Sequence, residues 1–261
     1  MTTSQAFTAT AAGPVRADLL SHIGTVTVTI DPTITHAVIT VRTGDDDGPL
    51  ADAVRGASVR ETAGRVTVRV PEAEAGADTI TTGVRNVGTI HGAVTGTVID
   101  RDDIVILGGR TIIPTNPFVR GGTGTITLDV TLPSTRSSVR LETTSADLTV
   151  RGDLTALDVR SVSGGVRAEG LDDLTAASVS GDIEAQRVDA RIDVSGTSGD
   201  TRIGAYSGSE CRISSVSGDV HLTATPAADG GIEISTVSGA VTTRGTRHLD
   251  ERVTTVSADR W

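Results

Sequence analysis

The stretch Ser178-Val179-Ser180-Gly181-Asp182-Ile183 decides the fold, and it recurs almost unchanged as Ser215-Val216-Ser217-Gly218-Asp219-Val220. Five related turns complete a series of seven. The other turns are Ser145-Ala146-Asp147, Ser163-Gly164-Gly165, Ser198-Gly199-Asp200, Ser238-Gly239-Ala240 and Ser257-Ala258-Asp259. Successive turn serines are 18, 17, 18, 19, 21 and 19 residues apart. A nearly fixed period of this size is typical of a solenoid of stacked repeats.

Apolar residues alternate with polar ones on both sides of each turn. They stand six and four residues before the turn serine, and three and five residues after it. The position six before the serine holds Val139, Leu157, Leu174, Ile192, Cys211 and Ile232. A period of two is strand geometry, because every second side chain points to the same face. The repeats therefore predict an all-β fold, a single-stranded β-helix (β-solenoid) with about 18–19 residues per coil, in which each coil buries its neighbour's apolar face.

The glycine after the turn serine is expected to be structural. At this corner a positive φ would suit glycine better than any other residue. The predicted corner glycines are Gly164, Gly181, Gly199, Gly218 and Gly239. The residue two before the serine is always small, and it is expected inside the corner.

The chain before the repeats reads as a less regular β region. We predict a weakly ordered lead-in at 1–20, an N-terminal region of irregular strands and hairpins at 21–133 that is continuous with the solenoid, and regular repeats at 134–261. Predicted within it are a strand at 25–30 with its partner at 36–43, a short helix at 49–54, and a hairpin at 57–70. Residues 79–122 do not fit the later period and form an extra segment, with a hairpin of 93–100 and 104–107.

This order of parts, followed by Val-Ser-Gly-Asp repeats, resembles the bacterial putative-adhesin family of β-strand repeats. That family is a domain of unknown function found in actinobacteria and firmicutes. The resemblance covers most of the chain, and its most specific residues are 178–183 and 215–220. It implies an adhesin-like role and supplies no catalytic residue and no cofactor.

Charge and composition exclude some partners. The net charge is −10, the pI is about 4.9, and all 23 basic residues are arginines. An acidic chain is a poor ligand for nucleic acid or for an anionic membrane. Aromatic residues make up only 2% of the chain, which argues against stacking platforms for sugars or bases.

No segment is long and apolar enough for a transmembrane helix, and no signal peptide is seen. The sequence as it stands therefore predicts a cytoplasmic protein, or one at the cell surface if a leader was removed.

The turn aspartates form the most suggestive cluster. They are Asp147, Asp182, Asp200, Asp219 and Asp259. The candidates for holding a cation are Asp182, Asp200 and Asp219, which follow the turns of three successive coils. The alternative is ordinary turn chemistry, because aspartate commonly follows Ser-Gly in turns. The lone cysteine, Cys211, stands in an inward column and is expected to be a buried structural thiol.

These observations favour a non-enzymatic structural or protein-interaction scaffold that self-associates through its ends, with a homo-oligomer as the expected form. An alternative is an envelope-associated module that binds a peptide, glycan or lipid through segment 79–122. A β-helix carbohydrate-active enzyme is the third hypothesis, and the scarcity of aromatics disfavours it.

Overall fold

The computed structural model describes residues 2–73, 105–107, 110–112, 125–134 and 136–256. The chain divides into two compact units, 1–74 with 124–261, and 75–123. The strands and the helix are β1 (Thr3–Ala12), β2 (Arg16–Leu20), β3 (Ile23–Ile30), β4 (His36–Thr43), α1 (Pro49–Arg55), β5 (Ser58–Thr62), β6 (Arg65–Arg69), β7 (Val105–Leu107), β8 (Arg110–Ile112), β9 (Ile126–Leu132), β10 (Ser138–Thr143), β11 (Ser145–Ser161), β12 (Val166–Ser178), β13 (Ile183–Ser198), β14 (Thr201–Tyr206), β15 (Glu210–Ser217), β16 (Val220–Ala224), β17 (Gly231–Ser238), β18 (Val241–Arg244) and β19 (Asp250–Thr255).

The repeats stack in parallel as a β-solenoid of about six turns, which confirms the predicted fold class. The column six before the turn serine runs in register from Val139 to Ile232. All six of its side chains are at most 2% exposed. The apolar columns therefore form the core, and each coil covers the apolar face of the next.

Two walls run along the stack and meet at the Ser-Gly corner. Wall A carries the residues before the corner and runs in the order β5, β6, β2, β10, β11, β12, β13, β15, β17, β19. Wall B carries the residues after the corner and runs in the order β1, β4, β9, β3, β11, β12, β13, β14, β16, β18. The long strands β11, β12 and β13 bend between the walls and belong to both.

The stack extends back beyond the recognisable repeats. β2 and β3 pair in parallel with β10 and β11 on one side, and with β6 and β9 on the other. The prediction of a weakly ordered lead-in at 1–20 is therefore wrong, since β1 and β2 fill much of it and Val15, Ala17 and Leu19 are buried. The partners of β2 lie about fifty and about 120 residues away in sequence, so no local pattern shows the pairing. The remaining boundaries, 21–133, 134–261 and 79–122, stay predictions.

In the N-terminal region, the sequence predicts the helix and the hairpin correctly, but it does not predict the pairing of β3 and β4. The helix is present as α1, and the hairpin is present as β5 and β6. The predicted pairing of 25–30 with 36–43 is wrong, because β3 is a rung of the stack between β11 and β9. β4 instead pairs antiparallel with β9 and β1.

The N-terminal end of the stack is closed. α1 buries Ala51, Ala53 and Val54 and contacts β1 and β4. The carboxylate of Glu61 on β5 accepts hydrogen bonds from the backbone N–H groups of Thr10 (2.7 Å) and Ala11 (2.6 Å) on β1. The two edge strands at this end are thus bridged by a side chain.

The second unit, 75–123, contains an antiparallel pair of short strands, β7 and β8, in which Val105 is opposite Ile112. The partner predicted for 104–107 was 93–100, which lies outside the described residues. Among the residues that the structure describes, no helix is long and apolar enough to span a bilayer.

Candidate functional site: the corner edge and the ends

The corner glycines are required mainly because successive corners stack backbone against backbone. A Cβ added to Gly181 would lie far inside van der Waals distance of the carbonyl oxygen of Gly164, one coil earlier. The same relation joins Gly199 to Gly181 and Gly218 to Gly199. Gly239 continues the series against Gly218. A side chain on this column would push neighbouring coils apart.

A positive φ, which the sequence predicts for all five corner glycines, occurs at three of them. Gly199, Gly218 and Gly239 have φ values of 110°, 143° and 151°. The φ angles of Gly164 and Gly181 are not positive. The corner therefore has two conformations along the stack.

The hydrogen bonding of the small residue two before the serine differs between the two conformations. In the first three corners, the hydroxyls of Thr143, Ser161 and Ser178 each accept a 2.8 Å hydrogen bond from the backbone N–H three residues later. Gly196 has no hydroxyl to offer, and the positive-φ form begins in its corner at Gly199. In the two corners after it, the buried hydroxyls of Ser215 and Thr236 have no hydrogen-bond partner.

The turn aspartates hold neighbouring coils together through the backbone. Oδ1 of Asp147 accepts a 2.8 Å hydrogen bond from Gly165 N–H in the next coil. Equivalent bonds join Asp182 to Asp200 N–H (2.8 Å), Asp200 to Asp219 N–H (3.0 Å), and Asp219 to Ala240 N–H (2.8 Å). The bond from Asp219 N–H, followed by the contact with Arg202, holds the pKa of Asp200 below its ordinary value.

These hydrogen bonds show what the aspartate column does within the fold. Within the described residues, no group of three or more His, Cys, Asp or Glu side chains is arranged to hold a metal ion. Cation binding by Asp182, Asp200 and Asp219 stays a prediction. Asp259 lies outside the described residues.

The sequence interpretation missed a column of exposed β-branched side chains one residue before each turn serine. This column, the valine ladder, comprises Thr144, Val162, Val179, Thr197, Val216, Val237 and Val256. Its valines are 44–72% exposed, and they account for five of the seven large apolar side chains that are exposed in the described residues. The alternation could have shown the column, since residues one before the serine have the opposite parity to the buried ones.

A shallow groove of about 850 Å³ follows the first part of the ladder on wall A. Leu20, His22, Val162 and Val179 contribute to its lining. The carboxylates of Glu142, Asp158 and Asp193 and the guanidinium of Arg160 also line the groove. This surface is open and mixed in character, so it suits contact with a large partner better than enclosure of a small molecule.

The C-terminal end of the stack is uncovered within the described residues. β19 pairs with β17 and β18 pairs with β16, and neither has a described strand on its other side. Val253 is 43% exposed, whereas Ile234, its neighbour in the same inward column, is fully buried. Glu251 continues the column of Ile232 and accepts a 2.7 Å hydrogen bond from the Thr246 hydroxyl.

The buried titratable groups of the repeats have unreactive surroundings. Cys211 is a free, buried cysteine, as the sequence predicts, and burial raises the pKa of its thiol to about 12. Burial also raises the pKa of Tyr206, whose hydroxyl lacks a hydrogen-bond partner. A thiol with so high a pKa stays protonated near neutral pH and is a poor nucleophile.

Fold and surface together define a capped β-solenoid repeat protein with a repeated corner edge. The Toastrack DUF4097 family model matches residues 66–259, and the chain belongs to this family. No curated protein matches the chain.

The solved structures that match the chain are distant in sequence. A putative adhesin from Bacteroides fragilis is 11% identical with a TM-score of 0.49, covering 98% of this chain and 97% of its own. A putative adhesin from Parabacteroides merdae is 10% identical with a TM-score of 0.45, covering 98% and 96%. A putative lipid binding protein from Parabacteroides distasonis is 10% identical with a TM-score of 0.35, covering 97% of each chain.

Proposed function

We propose that this chain is a non-enzymatic scaffold that binds other proteins and self-associates through the C-terminal end of its stack. The observation that carries the proposal is the difference between the two ends. At the N-terminal end, α1 packs against the edge strand β1, and Glu61 accepts hydrogen bonds from two N–H groups of that strand. At the C-terminal end, no element of the described residues packs beyond β18 and β19. A free strand edge presents unpaired N–H and C=O groups that another strand can satisfy.

The closed N-terminal end determines the kind of assembly. Head-to-tail stacking would need a free edge at both ends and would grow into a filament. Contact between two C-terminal ends uses the same surface on each copy, so it closes after two subunits. The proposal therefore predicts a dimer and no longer assembly.

The non-enzymatic part of the proposal has its own support. Each corner aspartate that the structure describes accepts a hydrogen bond from a backbone N–H of the next coil. Cys211 is a buried thiol with a raised pKa. Such groups serve the stack. The described grooves are open and shallow, unlike the enclosed pockets in which catalytic groups gain their unusual pKa values.

Sedimentation velocity at a series of concentrations tests the self-association. The native chain is expected to shift from monomer to dimer as its concentration rises. Val253→Lys should shift the transition to at least about tenfold higher concentration, because a charged side chain would then stand where the second copy packs.

Val216→Lys is the matched control, since Val216 is 48% exposed and lies away from the end. It should dimerise like the native chain. A native chain that stays monomeric at all concentrations, or equal effects of the two substitutions, would exclude the C-terminal end as the contact.

A further inference from the structure

We propose that the valine ladder is a docking surface for a cationic amphipathic helix of a partner protein. The inference rests on the scaffold function above and names a second surface for it. Exposed apolar residues scattered singly on a surface are ordinary, whereas a continuous row of them marks an interaction site. Val162 with Val179, and Val216 with Val237 and Val256, make two apolar runs of one row, and the β-branched Thr197 lies between them.

The neighbouring columns leave the ladder accessible. The turn aspartates stand three residues after the ladder residues. Only the turn serine and the corner residue, which is usually glycine, lie between a ladder residue and its aspartate. On the other side, the position two before the ladder holds Glu142 and Arg160 in the first two coils. Along the middle of the stack it holds the small, exposed residues Ala177, Ser195, Ser214 and Ser235. No bulky side chain therefore stands over the ladder there.

The charge of this edge favours a basic partner. Asp147, Asp182 and Asp219 follow the corner, and none of them makes an ion pair in the part of the chain that the structure describes. Asp200 pairs with Arg202 at 2.6 Å. The chain as a whole carries a net charge of −10. Complementary charges would steer a cationic partner to this edge and fix its position.

The spacing of the coils favours a helix over an extended strand. Coils repeat about every 4.8 Å, so the seven ladder positions span roughly 29 Å. An α-helix presents one apolar contact per turn of about 5.4 Å, and a helix of about 20 residues is roughly 30 Å long. An extended strand presents same-side residues only about every 6.7 Å. Successive turns of a helix that lies along the stack would therefore contact successive ladder positions, nearly one turn for each coil.

Fluorescence anisotropy with a synthetic helical peptide tests the proposal. The probe is a labelled 20-residue peptide with Leu at i, i+3, i+4 and i+7 spacing and Lys on the opposite face. Two further peptides serve as controls, one with the same composition in scrambled order and one with Glu in place of Lys. The native chain should bind the Leu-Lys helix at least about tenfold more tightly than either control.

Two substitutions locate the binding on the ladder. Val216→Lys should weaken the peptide affinity about tenfold or more, because it places a like charge in the middle of the row. Asp219→Asn keeps an oxygen for the Ala240 N–H and removes the charge, so a loss of about two- to fivefold is expected. Val253→Lys changes a residue of the inward column, outside the ladder, and should bind like the native chain.

Equal binding of the three peptides, no binding at all, or equal effects of Val216→Lys and Val253→Lys would overturn the proposal. Binding of the chain to phosphatidylcholine vesicles that Val216→Lys abolishes, without peptide binding, would assign the ladder to lipid and also overturn it. Either result leaves the concentration dependence of dimerisation unchanged. Failure here is therefore distinguishable from failure of the proposed self-association.

Discussion

Single residues at the corner set how closely the coils stack. Glycine is needed at the corner of every coil from Gly164 to Gly239 because the carbonyl oxygen of the preceding coil occupies the space of a Cβ. At Gly164 this steric reason acts alone, since its φ is not positive. Glycine at the corner is therefore required by the close packing of neighbouring coils even where its backbone conformation does not require it.

Gly164→Ala should destabilise the fold by about 1–3 kcal/mol, because the new methyl group would meet the backbone of Ala146. The neighbouring Gly165→Ala is the control. Its Cβ would have only ordinary contacts, the nearest at 3.5 Å, so its free energy of unfolding should stay within about 0.5 kcal/mol of the native value. Urea denaturation measures both. Equal losses would show that close stacking of the corners is not what requires Gly164.

The corner hydroxyls provide a second matched pair. Ser161→Ala removes the acceptor of the Gly164 N–H and should cost about 1–3 kcal/mol, because that buried donor is left unsatisfied. Ser215→Ala removes a hydroxyl that has no partner and should be neutral or slightly stabilising. Urea denaturation again supplies the free energies. A larger loss at Ser215 than at Ser161 would contradict the two-conformation description of the corner.

Sequence alone predicted the inward residues well and the corner only in part. Columns such as Val139 to Ile232 follow from the period-two alternation, which depends on local chain geometry. The reason for Gly164 could not be predicted, because the atom it avoids belongs to another coil. The exposure of the valine ladder follows from parity, since its residues alternate with the buried ones, but the sequence interpretation did not include it.

At the scale of the elements, the N-terminal closure depends on one carboxylate. Hydrogen bonds from the N–H groups of Thr10 and Ala11 lower the pKa of Glu61 below its ordinary value of 4.5. A lowered pKa in the folded state means that the charged form stabilises the fold. This stabilisation is present above the unfolded-state pKa and is lost as the pH falls through the folded-state pKa.

Glu61→Gln should therefore lower the melting temperature at pH 6, and the difference from the native chain should shrink at pH 3. As the pH falls towards the folded-state pKa, the native carboxyl becomes protonated and then resembles the amide. Glu72→Gln is the control, because Glu72 is exposed and has no hydrogen bond or ion pair among the described contacts. Thermal melts of both variants at the two pH values provide the comparison. A Glu61→Gln deficit that grows towards acid would contradict the assigned role.

Elements could be predicted where their signals are local. α1 and the β5–β6 hairpin follow from a proline at the helix start and from the Ala63-Gly64 turn. The pairing of β3 could not be predicted, because its neighbours β11 and β9 are about 120 and about 100 residues away in sequence. A strand in the middle of a stack and a strand in a local hairpin carry the same alternation.

At the scale of the whole molecule, the stack is covered at its N-terminal end and uncovered at its C-terminal end as far as the described residues go. The repeat pattern predicts that a solenoid has ends, and it does not show which end is covered. The N-terminal closure comes from β1, β5 and α1, none of which shares the period of the repeats. Self-association through the ends was the sequence-based hypothesis, and the covered N-terminal end restricts our proposal to the C-terminal end.

The most direct test is amide hydrogen exchange of the native chain at several protein concentrations. The account predicts that protection of β18 and β19 amides rises with concentration, while β1 and β5 stay unchanged. Concentration-dependent protection confined to β1 or β5, or absent from both ends at concentrations where sedimentation detects a dimer, would contradict it.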